Sequence, residues 1–110
     1  MQKKGIMIEE SKIHEIVKII AGSFSPDKII LFGSYATGQA NEDSDLDILV
    51  VKDTDLPRHK RNIEIRKALI GTKVPIDLLV FTNIEFESEK NRKYSFLNQV
   101  IETSKTLYER

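Results

Sequence analysis

Two aspartates stand inside apolar runs of this chain, one at Leu46-Asp47-Ile48-Leu49-Val50-Val51 and one at Ile76-Asp77-Leu78-Leu79-Val80-Phe81. With Lys28-Ile-Ile-Leu-Phe32, these are three runs of five or six residues. That length suits strands, and the unbroken apolar character of the first suits burial on both faces. A sheet of such strands has to be covered, and the intervening sequence supplies the cover. Ile13, Ile16, Val17 and Ile20 fall at i, i+3, i+4 and i+7, which predicts an amphipathic helix over about residues 9–23. Ser25-Pro26-Asp27 breaks that pattern as a turn.

Residues 33–44 read as a turn, with room for one helical turn, and a polar loop. Pro57 suits a first helical position with Asp55 as cap, and Ile65, Ala68 and Leu69 carry helical spacing up to a stop at Gly71. Pro75 marks the edge of the third strand. Thr82-Asn-Ile-Glu85 has the form of a capping box, and Phe96/Val100 with Leu97/Ile101 are i, i+4 pairs of a last helix. The expected order is α-β-β-α-β-α-α: an α/β (α+β) fold, a mixed sheet flanked by helices, with residues 1–110 as one domain. No repeat or linker-like stretch interrupts it.

An ionised carboxylate in low dielectric costs several kcal/mol unless it is paired or binds a cation. The strand period of two puts Asp45 and Asp47 on one face, about 6.6 Å apart along the strand. If the third strand lies beside the second, Asp77 completes a cluster of three. Oxygen ligands without His or Cys favour Mg²⁺ or Mn²⁺, and two such ions serve in-line phosphoryl or nucleotidyl transfer. Asp-x-Asp alone says little, because it occurs at 43/45, 45/47 and 53/55. Asp43, Asp53 and Asp55 read as loop or capping carboxylates; the strand context singles out Asp47 and Asp77, and Asp45 joins them by sharing their face.

Gly33-Ser34 directly follows the first strand. Glycine permits a tight turn and close approach to a ligand, and N–H groups opening a helical turn, with the Ser34 hydroxyl, suit a triphosphate. On its own the pair is equally a strand-ending turn with Ser34 as N-cap. Ten residues separate Ser34 from Asp45, so the turn and the carboxylates belong to one stretch.

That stretch, Leu31 to Val50, resembles the G-S-x10-D-x-D signature of the polymerase-β-type nucleotidyltransferases, and above all the small stand-alone group called minimal nucleotidyltransferases, or MNT. Val74-Pro-Ile-Asp-Leu-Leu-Val-Phe81 is similar to the strand bearing the family's third Asp, and Leu107-Tyr108 to its C-terminal end. The resemblance implies transfer of a nucleoside monophosphate, with AMP from ATP expected foremost, from an NTP with release of pyrophosphate. Gly33 and Ser34 would hold the β- and γ-phosphates. Asp45 and Asp47 would bind two Mg²⁺ ions, and Asp77 would bind the catalytic one and help to activate the attacking hydroxyl. Thr37 departs from the Arg the family often carries there, which leaves the carboxylates intact but removes whatever contact the Arg would supply. MNT proteins are commonly paired with a HEPN-domain protein in what resembles a toxin–antitoxin system. The implied reaction adenylylates a Tyr of the HEPN toxin, with this chain as antitoxin and the acceptor supplied by another chain. The alternative is a binding module that neutralises its partner by contact without turnover. Self-association is left open.

Seventeen Lys+Arg balance seventeen Asp+Glu, which argues against binding nucleic acid or anionic membrane by bulk charge. The balance is regional: Glu42, Asp43, Asp45 and Asp47 put four negative charges in six residues, while residues 58–67 carry five basic residues against Glu64. The basic stretch reads as a solvated helix face, or as a contact for an acidic partner. Absence of cysteine excludes disulfides and thiolate chemistry. No run approaches the length of a membrane span, and Met1-Gln-Lys-Lys-Gly5 lacks a signal-peptide core, so the cytoplasm is the expected location. His14 and His59 read as surface residues. Tyr35, next to Ser34, reads as a packing residue with the option of lying over a nucleotide.

Overall fold

The structure is a computed structural model that describes residues 7–110. The Met1–Gly5 segment read above for targeting lies outside them. Among the described residues no helix is long and apolar enough to cross a membrane.

Helix α1 (Glu10–Phe24) buries the expected stripe through Ile16 and Ile20, and it ends where Ser25 turns left-handed ahead of Pro26. Strand β1 (Lys28–Phe32) is central: it pairs antiparallel with β2 (Leu46–Val51) on one side and with β4 (Lys105–Glu109) on the other. That position accounts for its unbroken apolar run, because a central strand needs apolar side chains on both faces. A single helical turn, α2 (Ser34–Thr37), follows β1. Strand β3 (Ile76–Phe81) pairs in parallel with β2, the chain reaching it through α3 (Ile63–Leu69), and the strand order is β3-β2-β1-β4. Helices α4 (Asn83–Asn91) and α5 (Phe96–Ile101) lie between β3 and β4. The mixed sheet carries α1 and α3 on one face, over Ile29, Leu31, Ile48, Val50, Leu78 and Val80. Helices α4 and α5 cover Ile30, Phe32, Leu49, Val51 and Phe81 on the other.

Three expectations need correction. The fourth strand is absent from the predicted order. β4 is an edge strand whose residues are exposed or half-buried, so Lys105-Thr-Leu-Tyr-Glu109 shows no apolar run. The helix expected from Pro57 starts at Ile63, after a 3₁₀ turn at Arg58–Lys60. Arg61 holds this segment out of helical path, donating through Nε to the Leu56 carbonyl at 2.8 Å and through its other nitrogens to Glu85 at 2.6 and 3.2 Å. Asp55 caps nothing there; the Leu56 N–H binds Thr54 Oγ1 instead. Gly71 sits inside a second 3₁₀ turn (Ile70–Thr72), and Lys73 takes the left-handed position. The buried Thr72 hydroxyl closes that end by donating to the Leu69 carbonyl at 2.6 Å.

The basic stretch is more than a solvated face. Arg66, Asn62 and Arg61 donate to the carbonyls of Ile76, Leu78 and Val80, the alternate residues along the free edge of β3. Arg61 is only 9 % exposed, and its Glu85 partner also closes the expected Thr82–Glu85 capping box of α4. Side-chain donors thus cover an edge that would otherwise offer carbonyls to another strand.

Candidate active site

Asp47 is the second residue of β2, and its cross-strand partner on β3 is Asp77. Parallel, in-register pairing puts both side chains on the face that carries Leu49, Val51, Leu79 and Phe81; Asp45, one residue before the strand, lies close enough for its charge to act on Asp47. Helices α4 and α5 close over the far half of that face only. At the near half Asp47 is half-buried, and Asp45 and Asp77 are exposed.

The Asp47 carboxyl is pushed above its ordinary range, first by burial and then by the charges of Asp77 and Asp45. None of the three receives a hydrogen bond or a cationic partner among the described residues. Their mutual repulsion opposes closer approach, and as placed, no three His, Cys, Asp or Glu side chains among the described residues close to ligand spacing around one ion. The donor set nevertheless fits a hard divalent cation: three neighbouring carboxylates, uncompensated, with two of them free to turn. An ion there would reverse the local sign and remove the repulsion.

Gly33 holds the other half of the motif against this row. Its φ of 75° lies where side chains are strained. A Cβ at this position would stand 2.9 Å from Asp47 Cγ and closer still to its Oδ2. Glycine is therefore required twice, for the turn and for the Asp47 carboxyl packed upon it. The Gly33 carbonyl accepts from Ala36 and Thr37 at 3.0 and 3.2 Å, which leaves the Ser34 and Tyr35 N–H groups at the open end of the turn. Gly33, not Ser34, is the N-cap, so the Ser34 hydroxyl is not spent on capping. Thr37 is bonded locally, its hydroxyl donating to the Ser34 carbonyl.

Tyr35 does not face the carboxylates. Its ring packs with the α1/α3 core, and its hydroxyl accepts from the Ile8 N–H at 3.0 Å. His14 and His59 are exposed, as expected. Asp53 lies at the opposite end of β2, where it accepts from the Asn83 N–H at 3.0 Å, as a capping carboxylate does.

Two features near the row were not apparent in the sequence. The loop before Asp45 is set by Asn41, whose side-chain oxygen accepts from the Asp43 N–H at 2.8 Å and from the Ser44 hydroxyl at 3.3 Å; the Asn-x-Asp-Ser spacing was its available signal. The second is Phe96, 52 % exposed at the start of α5, whose ring meets Phe32 edge-on with centroids 5.7 Å apart. Phe32 is the β1 partner of Asp47, so the exposed ring stands beside the carboxylates. A cleft of about 470 Å³ opens there, reaching from Asp77 along β3 to Phe81 under Phe96 and Leu97.

The family model for the nucleotidyltransferase domain matches residues 11–103. MJ0604 of Methanocaldococcus jannaschii, a candidate protein adenylyltransferase, is 37% identical over 105 residues, covering 93% of this chain and all of that protein. Among solved structures, a chain of a toxin–antitoxin complex with AMP-PNP superposes with a TM-score of 0.63 at 25% identity, over 94% of this chain and 75% of that one. A chain of the Shewanella oneidensis complex of tri-AMPylated HEPN toxin with MNT antitoxin shares the fold, with a TM-score of 0.57 at 21% identity over 94% and 74% of the two chains. Enzymes of this family typically act on an NTP with a divalent metal. The chain belongs to the nucleotidyltransferase family and has the polymerase-β-type fold of its small stand-alone members.

Proposed function

We propose that the chain transfers AMP from ATP to a tyrosine hydroxyl of a HEPN-domain partner and so acts as an antitoxin. The observation that carries this reading is the contact between its two motifs: Asp47, flanked by Asp45 and Asp77, packs directly on Gly33 of the glycine-serine turn. Gly33, the Ser34 hydroxyl and the free N–H groups of the turn would bind the β- and γ-phosphates. Asp45, Asp47 and Asp77 would hold the divalent ions, two Mg²⁺ with Mn²⁺ as a substitute. When bound, these ions would offset the charge of the triphosphate and of the departing pyrophosphate. Asp77, on the side away from the turn, would orient the attacking hydroxyl and take its proton. The resemblance to MNT antitoxins and to the M. jannaschii protein supports a protein as acceptor.

The test incubates the protein with Mg²⁺, each NTP in turn, and a candidate HEPN-domain partner, and reads intact mass. The expected result is addition of AMP to the partner by the wild type and none by Asp47→Asn. If Asp47→Asn neutralises the partner as fully as the wild type, neutralisation is by contact and the catalytic reading fails.

A further inference from the structure

The turn and the carboxylates account for the triphosphate end of a nucleotide and leave its base without a seat. Tyr35 cannot supply one, because its ring is turned into the α1/α3 core. The geometry of displacement limits where the base can go. The attacking and leaving oxygens stand in line on opposite sides of the phosphorus, so the oxygen that carries the ribose lies in the plane between them. With pyrophosphate directed to Gly33-Ser34 at the end of β1 and the attacking hydroxyl beside Asp77 on β3, the line of attack crosses the strands. The nucleoside then runs along the strands or away from the sheet. Along the strands, toward the C-terminal ends of β2 and β3, it meets α5, whose first residue is Phe96.

Phe96 is close to the chemistry and held in place. Phe32 stands directly opposite Asp47 on the neighbouring strand, and the Phe96 ring meets the Phe32 ring at 5.7 Å with an interplanar angle of 84°. One side chain therefore separates Phe96 from the Asp47 carboxyl, and the edge-on contact leaves half of the Phe96 ring open. The segment behind it is pinned: Ser95 Oγ accepts from the Asn98 N–H at 3.0 Å, and Gln99 donates to the Tyr94 carbonyl at 3.1 Å. Tyr94 is the other exposed aromatic ring among the described residues, and Lys93 already lies 5.2 Å over it. A fixed, open ring beside a site for a polyanion is what a base needs for stacking.

The polar groups bordering the cleft under Phe96 are engaged elsewhere. Arg58 lies 5.0 Å over the Phe81 ring, Asn62 donates to the Leu78 carbonyl at 3.4 Å, and Glu89 pairs with Arg92 at 2.6 Å. Stacking reads a base by the area of its face and not by the pattern of its edges. We infer that Phe96 is the seat of the nucleobase, and that it favours purine over pyrimidine nucleoside triphosphates while holding adenine and guanine alike. The inference rests on the nucleotidyltransferase reading above. Use of AMP over GMP then follows from the supply of nucleotide, not from this contact.

The test measures binding by calorimetry with Mg²⁺ for ATP, GTP, CTP and ribose 5′-triphosphate, which keeps the charge and the sugar and lacks the base. The wild type is expected to bind ATP and GTP about tenfold more tightly than ribose 5′-triphosphate, the scale of one base stacked on an aromatic ring, with CTP in between. Phe96→Leu and Phe96→Ala should lose most of that advantage and bind ribose 5′-triphosphate as before, and a thermal melt shows that each is folded. The chain has no tryptophan, so Phe96→Trp introduces a single fluorophore. That variant should keep the purine advantage, and ATP should quench its emission while ribose 5′-triphosphate leaves it unchanged. An advantage retained in both Phe96→Leu and Phe96→Ala overturns the inference. So does the absence of a purine advantage in the wild type, or ATP bound more than about tenfold tighter than GTP. If ribose 5′-triphosphate fails to bind the wild type, or binds Asp47→Asn equally well, the nucleotide site itself is misplaced.

Discussion

One face of the sheet is two surfaces. Toward the C-terminal ends of β2 and β3, Leu49, Val51, Leu79 and Phe81 lie beneath α4 and α5. Toward their N-terminal ends the same face carries Asp47 and Asp77, with Asp45 just before β2, and among the described residues no helix closes over them. The strands, the register and the period of two are the same in both halves. What differs is the cover, and with it the dielectric: a side chain two positions along the strand passes from dry packing to a half-open site. The covered half makes the strands rigid, and the open half uses that rigidity to hold like charges side by side.

Substitutions along a single strand should separate the two halves. Asp47→Asn is expected to lower the rate of transfer by about 10³-fold or more. It should leave thermal stability equal or higher, because it removes a carboxylate that burial and two neighbouring charges disfavour. Leu49→Ala, one pleat away, should cost about 2–5 kcal/mol in denaturant unfolding. If Asp47→Asn proves as destabilising as Leu49→Ala, the two halves are not distinct.

A pair of glycines sharpens the same contrast. Gly33→Ala must strain a positive φ and displace the Asp47 carboxyl, so it should destabilise by about 1–3 kcal/mol and weaken nucleotide binding. Gly22→Ala, within α1 and facing open space, should stabilise by about 0.5–1 kcal/mol. Urea titration of both variants checks the signs.

On the covered side, Glu85 ties α4 to the β3 edge through Arg61. The hydrogen bonds from Arg61, against the opposing effect of burial, hold the Glu85 carboxyl at about 2, from an ordinary value of 4.5. A depressed acid stabilises the fold above its unfolded value, and the contribution fades as pH falls from about 4.5 toward 2. Glu85→Gln should therefore cost about 1–3 kcal/mol at neutral pH, and the gap to wild type should narrow below pH of about 4.5. A constant gap across that range would contradict the assignment. Thr37→Arg should have the smallest effect on folding, within about 0.5 kcal/mol, because Thr37 is exposed and bonded only to its own turn.

The sheet was legible wherever burial left a pattern. Central strands β1 and β2 need apolar side chains on both faces, and their runs give them away; β4 at the edge does not, and only the folded sheet reveals it. The α4 capping box was legible because Thr82 and Glu85 satisfy each other locally. The start of α3 was not, because a tertiary contact, Arg61 to Glu85 and Val80, overrides the local signals at Pro57. At the site, Asp45, Asp47, Asp77, Gly33 and Ser34 stood out by their conflict with an apolar context or by their spacing. Phe96 did not: an aromatic at helical spacing resembles core, and only the fold shows it half exposed beside Asp77.

The central claim is that the open half of this face binds a divalent ion together with a nucleotide. Amide NMR in the presence of Mn²⁺ and a non-hydrolysable ATP analogue tests it directly, because paramagnetic broadening reports distance from the ion. The account predicts broadening at Gly33, Ser34, Asp47 and Asp77, sparing of Val51 and Phe81 at the covered end, and loss of the effect in Asp47→Asn. Broadening spread evenly along β2 and β3, or persisting in Asp47→Asn, would contradict it.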